Sequence, residues 1–303
     1  MRSVLVAIGL AAFSTSANAQ AWPAPEHTGA VSVTTQVIEN TGHRLTDGYL
    51  IPDGKSRNIS VFVEGDYAVT DKFSISAGLP YVMTKYLGPH PGPPPIPSLP
   101  SEECRCWNTG IQDVSVTARY SLMNSAVGLT PSVSYGAPTN GYDPRGEAAI
   151  GFHLRELRLV LDGGVRLDRV SPNLSLQGRY SYAIVEKAAD ISHNRSNMSV
   201  EGTYLVARRL SVRGFAAYQY THGGLKFGSL PPSDLVFPGE VNTAQRLYQH
   251  DRLLKDINWH LGTGGSYSLE RVDVYALYVW YAKGADAHAG HALTMGVSVP
   301  FER

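Results

Sequence analysis

The stretch that most constrains the fold is the last one, Ala292 to Phe301. Every second residue is apolar (Leu293, Met295, Val297, Val299 and Phe301), and those between (Ala292, Thr294, Gly296, Ser298 and Pro300) are small or weakly polar. A strand sends successive side chains to opposite faces, so this stretch predicts a strand with one wholly apolar face. Its length suits a tilted strand crossing a bilayer. The edge of a soluble sandwich alternates in the same way, so one strand leaves both folds open.

Repetition decides between them. Alternation recurs from about residue 30 to the end. Ile59, Val61, Val63 and Tyr67 oppose Glu64 and Asp66; Val114, Val116, Ala118 and Tyr120 oppose Asp113 and Arg119. Leu157, Leu159 and Leu161 oppose Arg158, Asp162 and Arg166; Leu176, Tyr180 and Tyr182 oppose Arg179. Met198, Val200 and Tyr204 oppose Glu201, and Leu210, Val212 and Tyr218 oppose Arg213. Around 271–282 the pattern is least clean, because Leu277 and Val279 share the inner face with Asp273. The more polar face is heavy with Ser, Thr and Gly and carries sparse charges of both signs, which suits a crowded lumen better than a solvated sheet surface. Tyrosines near strand ends (Tyr67, Tyr81, Tyr120, Tyr135, Tyr204, Tyr278) fit an interfacial girdle.

Strands fall at roughly 29–41, 57–69, 72–86, 111–122, 126–136, 154–167, 173–185, 196–207, 209–222, 255–268, 270–282 and 290–301. Short turns alternate with long connections near 42–56, 87–109, 137–152, 185–195, 223–253 and 283–289. The expectation is an all-β, transmembrane, antiparallel up-and-down barrel of about twelve strands with both termini periplasmic. Residues 1–19 read as a cleavable signal peptide: Arg2, an apolar run from Val4 to Phe13, and Ala17-Asn18-Ala19 before Gln20. Residues 20–303 then form one barrel domain in the outer membrane of a Gram-negative bacterium. The balance of 26 Lys+Arg against 26 Asp+Glu gives no footprint for nucleic acid.

Several segments, Gly78-Leu79-Pro80-Tyr81, Gln177 to Tyr182, Asp190 to Asn197 and Thr221-His222-Gly223-Gly224, resemble those of the outer-membrane proteins named for the meta-pathway of phenol degradation. The resemblance covers most of the mature chain. It implies an outer-membrane barrel passing hydrophobic or aromatic compounds, and it brings no agreed functional residues with it.

The inward charges Glu64, Asp66, Asp113, Arg119, Arg158, Asp162, Arg166, Arg179, Glu201 and Arg213 either line a constriction or pair across strands to fill a narrow interior. Loop 89–107 is rich in Pro, which favours polyproline II, and ends with Cys104-Arg105-Cys106; a strained disulfide or two free thiols both fit. In loop 223–253, Val241, Ala244, Leu247 and Tyr248 have helical spacing, as a hatch in the mouth or a surface helix. His193, Arg195, His222, His250, Asp251 and Arg252 share the external side, as a ligand cluster or as ordinary loop side chains.

No metal site or cofactor is expected. No nucleophile elbow, His-Glu-x-x-His or phosphate loop is present. His260 reads as inward, and no lipid-facing His beside a Ser stands out, so no enzyme is expected. The expected function is uptake of small, hydrophobic or aromatic compounds, with a closed adhesion barrel as the alternative. The expected partners are outer-membrane lipids and the barrel-assembly machinery, engaged through the strand ending at Phe301.

Overall fold

Twelve long strands close on themselves. In the computed structural model, which describes residues 21–52, 55–88, 105–144, 148–226 and 250–302, the strands are β1 (Thr28–Arg44), β2 (Leu50–Ile51), β3 (Ser56–Ala68), β4 (Phe73–Tyr86), β5 (Asn108–Ile111), β6 (Val114–Tyr120), β7 (Met123–Asn124), β8 (Val127–Ala137), β9 (Glu156–Arg166), β10 (Leu174–Val185), β11 (His193–Ala207), β12 (Leu210–Gly223), β13 (Ile257–Ser268), β14 (Asp273–Ala285) and β15 (Ala287–Glu302). A four-residue helix, α1 (His250–Leu253), precedes β13. Each long strand pairs antiparallel with its sequence neighbour, and β15 pairs with β1 from Thr28↔Glu302 to Arg44↔Ala287. Strands β5 and β6 together make one wall strand against β4, while β2 and β7 are short additions. No helix among the described residues is long and apolar enough to cross a membrane.

The break between β5 and β6 has a local cause. Tyr81 pairs with Ile111 and Gly78 with Ser115, so two residues of β4 face three on the other strand. Pro80 sits at the mismatch and has no N–H to donate, while its carbonyl accepts from Gln112 N at 2.9 Å, as a sheet that bulges around proline allows.

The alternation read from the sequence is the partition the barrel makes. Met198, Val200, Leu159 and Met295 are exposed on the outer wall, whereas Ser76, Thr130, Asp162 and Ser181 are buried inside. Leu277 and Val279, only 4% and 1% exposed, have a reason to face inward. With Ile38, Phe215, Ala217, Tyr281 and Ala292 they form an apolar core that fills the β12–β1 side of the lumen.

One expected loop is absent. The stretch 283–289 is a tight connection, with β14 running to Ala285, β15 starting at Ala287, and Asp286 alone between them at φ 50°. The two strands stop pairing at Trp280↔His291 and continue beside other neighbours, β14 with β13 and β15 with β1. The stretch was expected to be a long connection, but the ladders to β13 and β1 hold it as strand. Likewise β1 runs on to Arg44 and β11 begins at His193, past the expected limits.

Candidate functional site: a chamber in the half-filled lumen

The N-terminal segment bars one end of the barrel. Leaving β1 at the short-turn end, it reaches the opposite wall, where Trp22 Nε1 donates to Ser125 O at 2.8 Å. Ala21 N donates to Gln177 Oε1 at 3.2 Å, and Thr130 Oγ1 donates to Ala21 O at 3.0 Å. The Arg166 guanidinium lies over the Trp22 ring, 5.3 Å from its centroid. Glycines make the seat: a Cβ at Gly128 would stand 2.5 Å from Ala21 O, and one at Gly164 2.6 Å from the Trp22 ring.

The long-connection end is covered by apolar side chains. Leu45 and Ile51 from the β1–β3 connection meet Leu154, Ala183, Val185, Leu225, Leu253 and Leu254, with Phe152 and Ile191 packed against them. Backbone bonds hold the cover: Leu225 N donates to Leu253 O and Lys255 N to Leu225 O, each at 2.7 Å. Beneath it, the His193 ring nitrogen Nε2 bonds Leu254 O at 2.9 Å. Asp256 accepts from Gln219 Nε2 at 2.8 Å and from Asn258 Nδ2. Burial pushes its carboxyl up to about 7, with the nearby Asp286 adding to the rise and Arg195 opposing it.

Between bar and cover, on the β3–β11 side, lies a cavity of roughly 240 Å³. Phe62, Phe152, Leu154, Val160 and Val185 supply apolar surface, and Arg119, Arg158, Arg179 and Arg195 line it together with Glu64, Asp113 and Glu156. Arg179 makes a two-pronged contact with Asp162, Nε to Oδ1 at 2.6 Å and Nη2 to Oδ2 at 3.0 Å, across a register pair of β9 and β10. Glu156 ties Arg158 Nε at 2.8 Å and also Arg195. Tyr142 OH donates to Asp113 Oδ1 at 2.5 Å, and burial followed by that contact pushes the phenol well above its ordinary range. Farther round, Arg213 lies 3.9 Å from Glu201.

The inward set from the sequence therefore divides. Glu64, Asp113, Arg119, Arg158 and Arg179 line the chamber, with Asp162 bonded behind Arg179; Arg166 serves the N-terminal bar; Arg213 and Glu201 stand together on another wall, and Asp66 lies below on β3. Glu156, the carboxylate that organises two arginines, was missed because the start of its strand could not be separated from the preceding loop. Trp22 was missed because no periodicity marks a segment that crosses a lumen.

The external cluster does not form one site. His193 and Arg195 are buried inside, while His222 is on the outer wall, so strand parity alone separates them. Arg252 Nη1 donates to Phe152 O at 3.0 Å, and the side chains of His250 and Asp251 lie outside the described residues. Among the described residues no group of three or more His, Cys, Asp or Glu side chains converges for a metal. A lipid-facing Ser–His pair, not expected, is present: Ser196 Oγ and His222 Nε2 are 2.8 Å apart, with Tyr180 OH 3.4 Å from the same hydroxyl. Among the described residues no carboxylate bonds this imidazole, so the triad arrangement is incomplete. Cys106 is disulfide-bonded; Cys104, most of the Pro-rich loop, residues 1–19 and the Val241 to Tyr248 segment lie outside the described residues.

A closed twelve-strand wall with an apolar exterior is the fold of the outer-membrane β-barrels. No family model matches the chain, and no curated protein matches it. Among solved structures it is similar to the COG4313 outer membrane channel from Pseudomonas putida F1, at TM-score 0.70 and 12% identity over 94% of this chain and 99% of that one. It is also similar, at TM-score 0.48 and 14% identity, to the translocator domain of autotransporter NalP from Neisseria meningitidis, over 92% of this chain and 90% of that one. The KdgM porin aligns at TM-score 0.44 and 11% identity, over 89% and 99%. At 12% identity the likeness to the first of these is one of fold.

Proposed function

We propose that this chain is an outer-membrane channel for passive or facilitated uptake of small hydrophobic or aromatic compounds, with its short-turn end in the periplasm. The observation that carries the reading is the chamber of roughly 240 Å³, apolar under the cover and rimmed by paired arginines and carboxylates. Ligand pockets are of this mixed kind, mostly apolar with a few placed polar groups. The resemblance to the meta-pathway proteins supports an aromatic permeant. Permeation requires the cover to part and the N-terminal bar to shift, and both are held by a few contacts that are independent of the wall ladders.

Liposome swelling with phenol as solute tests this. Flux above empty liposomes is expected, rising when residues 21–25 are deleted. No flux in either protein overturns the channel reading. A second reading, a closed barrel that binds through its loops, is favoured by the closure at both ends; it predicts no flux from either protein and binding lost when the long connections are trimmed.

A further inference from the structure

One of the chamber's aromatic rings does not belong to the barrel wall. Phe62, Val160 and Val185 reach the chamber from β3, β9 and β10, whereas Phe152 reaches it from the connection ahead of β9. Side chains hold its backbone in place. Arg252 Nη1 donates to Phe152 O at 3.0 Å, and the next amide, His153 N, donates to Tyr142 OH at 2.8 Å. The residues on either side shape the turn. A Cβ at Gly151 would stand 2.5 Å from Tyr142 OH, and His153 has φ 53°, a conformation uncommon outside glycine. The ring so delivered sits among fixed polar groups. The Arg195 guanidinium stands over its face, 5.5 Å from the centroid, and the His193 ring meets it edge to face at 6.2 Å. Arg195 is itself anchored to Glu156, and His193 Nε2 to Leu254 O at 2.9 Å. Phe152, His193 and Arg195 all line the chamber.

We propose that Phe152 is a resident occupant of the permeant's place, and that Arg195 selects a single aromatic ring to replace it. This rests on the channel reading above and names what the chamber recognises. A cation is drawn to the electron-rich face of an aromatic ring, and the attraction is stronger where water is kept out. The Arg195 side chain is only 8% exposed. A saturated ring of the same size has no such face and gains from apolar contact alone. Entry of a permeant therefore exchanges one ring for another over Arg195, and the cation keeps its partner throughout. The segment that carries Phe152 can yield, because side-chain contacts and not a sheet ladder hold it there. While Phe152 is in place it competes with the permeant. That competition keeps binding weak enough for release, which conduction requires.

The test measures binding of phenol and of cyclohexanol, two cyclic alcohols that differ in the π face, to the full-length protein in detergent by equilibrium dialysis against empty micelles. Phe152→Ala should hold phenol about tenfold more tightly than wild type does, and should prefer phenol to cyclohexanol by about tenfold. Adding Arg195→Met to Phe152→Ala should abolish that preference. Adding Arg195→Lys instead keeps a cation and should keep the preference, which separates loss of the charge from loss of the fold. Equal gains for the two alcohols on Phe152→Ala would mean a cavity filled by volume alone and would overturn the proposal. A preference that survives Arg195→Met would overturn it as well. Liposome flux of phenol is read separately. Selective binding without flux in any variant would leave this site standing and remove the channel, whereas flux without selective binding would leave the channel and remove this site.

Discussion

Glu156 shows how one residue sets the interior. Its carboxylate is shared by Arg158 and Arg195, and all three side chains are at most one-fifth exposed, at 14%, 20% and 8%. Removing one partner of a buried ionic group strands charge in a poor solvent, which costs roughly 3 kcal/mol or more. Glu156→Gln should therefore lower the temperature at which the folded band converts to the unfolded one on a detergent gel. An unchanged conversion temperature would mean that lumen water solvates both guanidinium groups. Asp256 has the opposite sense. Its folded pKa, about 7, lies above the ordinary carboxylate value, so it stabilises the folded mouth most at low pH. That contribution declines as pH rises from about 4 through about 7, because the unfolded chain releases the proton first. Asp256→Asn should flatten this slope, measured as the pH dependence of protease resistance around residue 254.

At the scale of elements, the barrel is closed by pieces that are not part of its wall. The far end of the bar, Ala21 and Trp22, is seated by three hydrogen bonds and by the missing side chains of Gly128 and Gly164. A branched side chain at Gly164 has nowhere to go but into the Trp22 ring. Gly164→Val should expel the segment, making the N-terminus accessible to aminopeptidase while the barrel stays heat-modifiable. Protection equal to wild type would show that the ring can slide aside. The cover at the other end is built from four connections, which explains why no single stretch of sequence announced it. Loop 223–253 was read for a helix at Val241 to Tyr248, which lies outside the described residues; Leu253 and Leu254, the two leucines after Arg252, pack into the cover.

For the whole molecule, the decisive contact joins its two ends. Phe301 pairs with Gly29, and its ring covers the space a Cβ there would take, 2.6 Å away, while stacking on Tyr67 at 6.4 Å. Loss of this ring removes packing at the seam between the first strand and the last, where closure removes the sheet's edges. Phe301→Ala should lower the yield of assembled barrel in the outer membrane without altering export, measured by fractionation and gel mobility. Unchanged folded yield would place the assembly signal elsewhere.

Alternation with period two is a property of neighbouring residues, so the sequence by itself determined which side chains face lipid and which face the lumen. It also determined the strand count, since each short turn and long connection separates one apolar-faced stretch from the next. What alternation cannot encode is which inward side chains meet. That depends on closure of β15 against β1 and on the register of every ladder between them. The ring brought Glu156 under Arg195, stacked Leu277 and Val279 into an apolar half-core, and left the chamber on the other side. Only the tertiary structure could also place Trp22 against a wall on the far side of the lumen, because that contact joins residues 103 apart with no periodic signal between them. At Ala292–Phe301 the two kinds of information meet: the outer face and the pairing with the first strand were legible from the residues, and the register from Thr28↔Glu302 to Arg44↔Ala287 was set by closure, with its shift between Asn40 and Gly42.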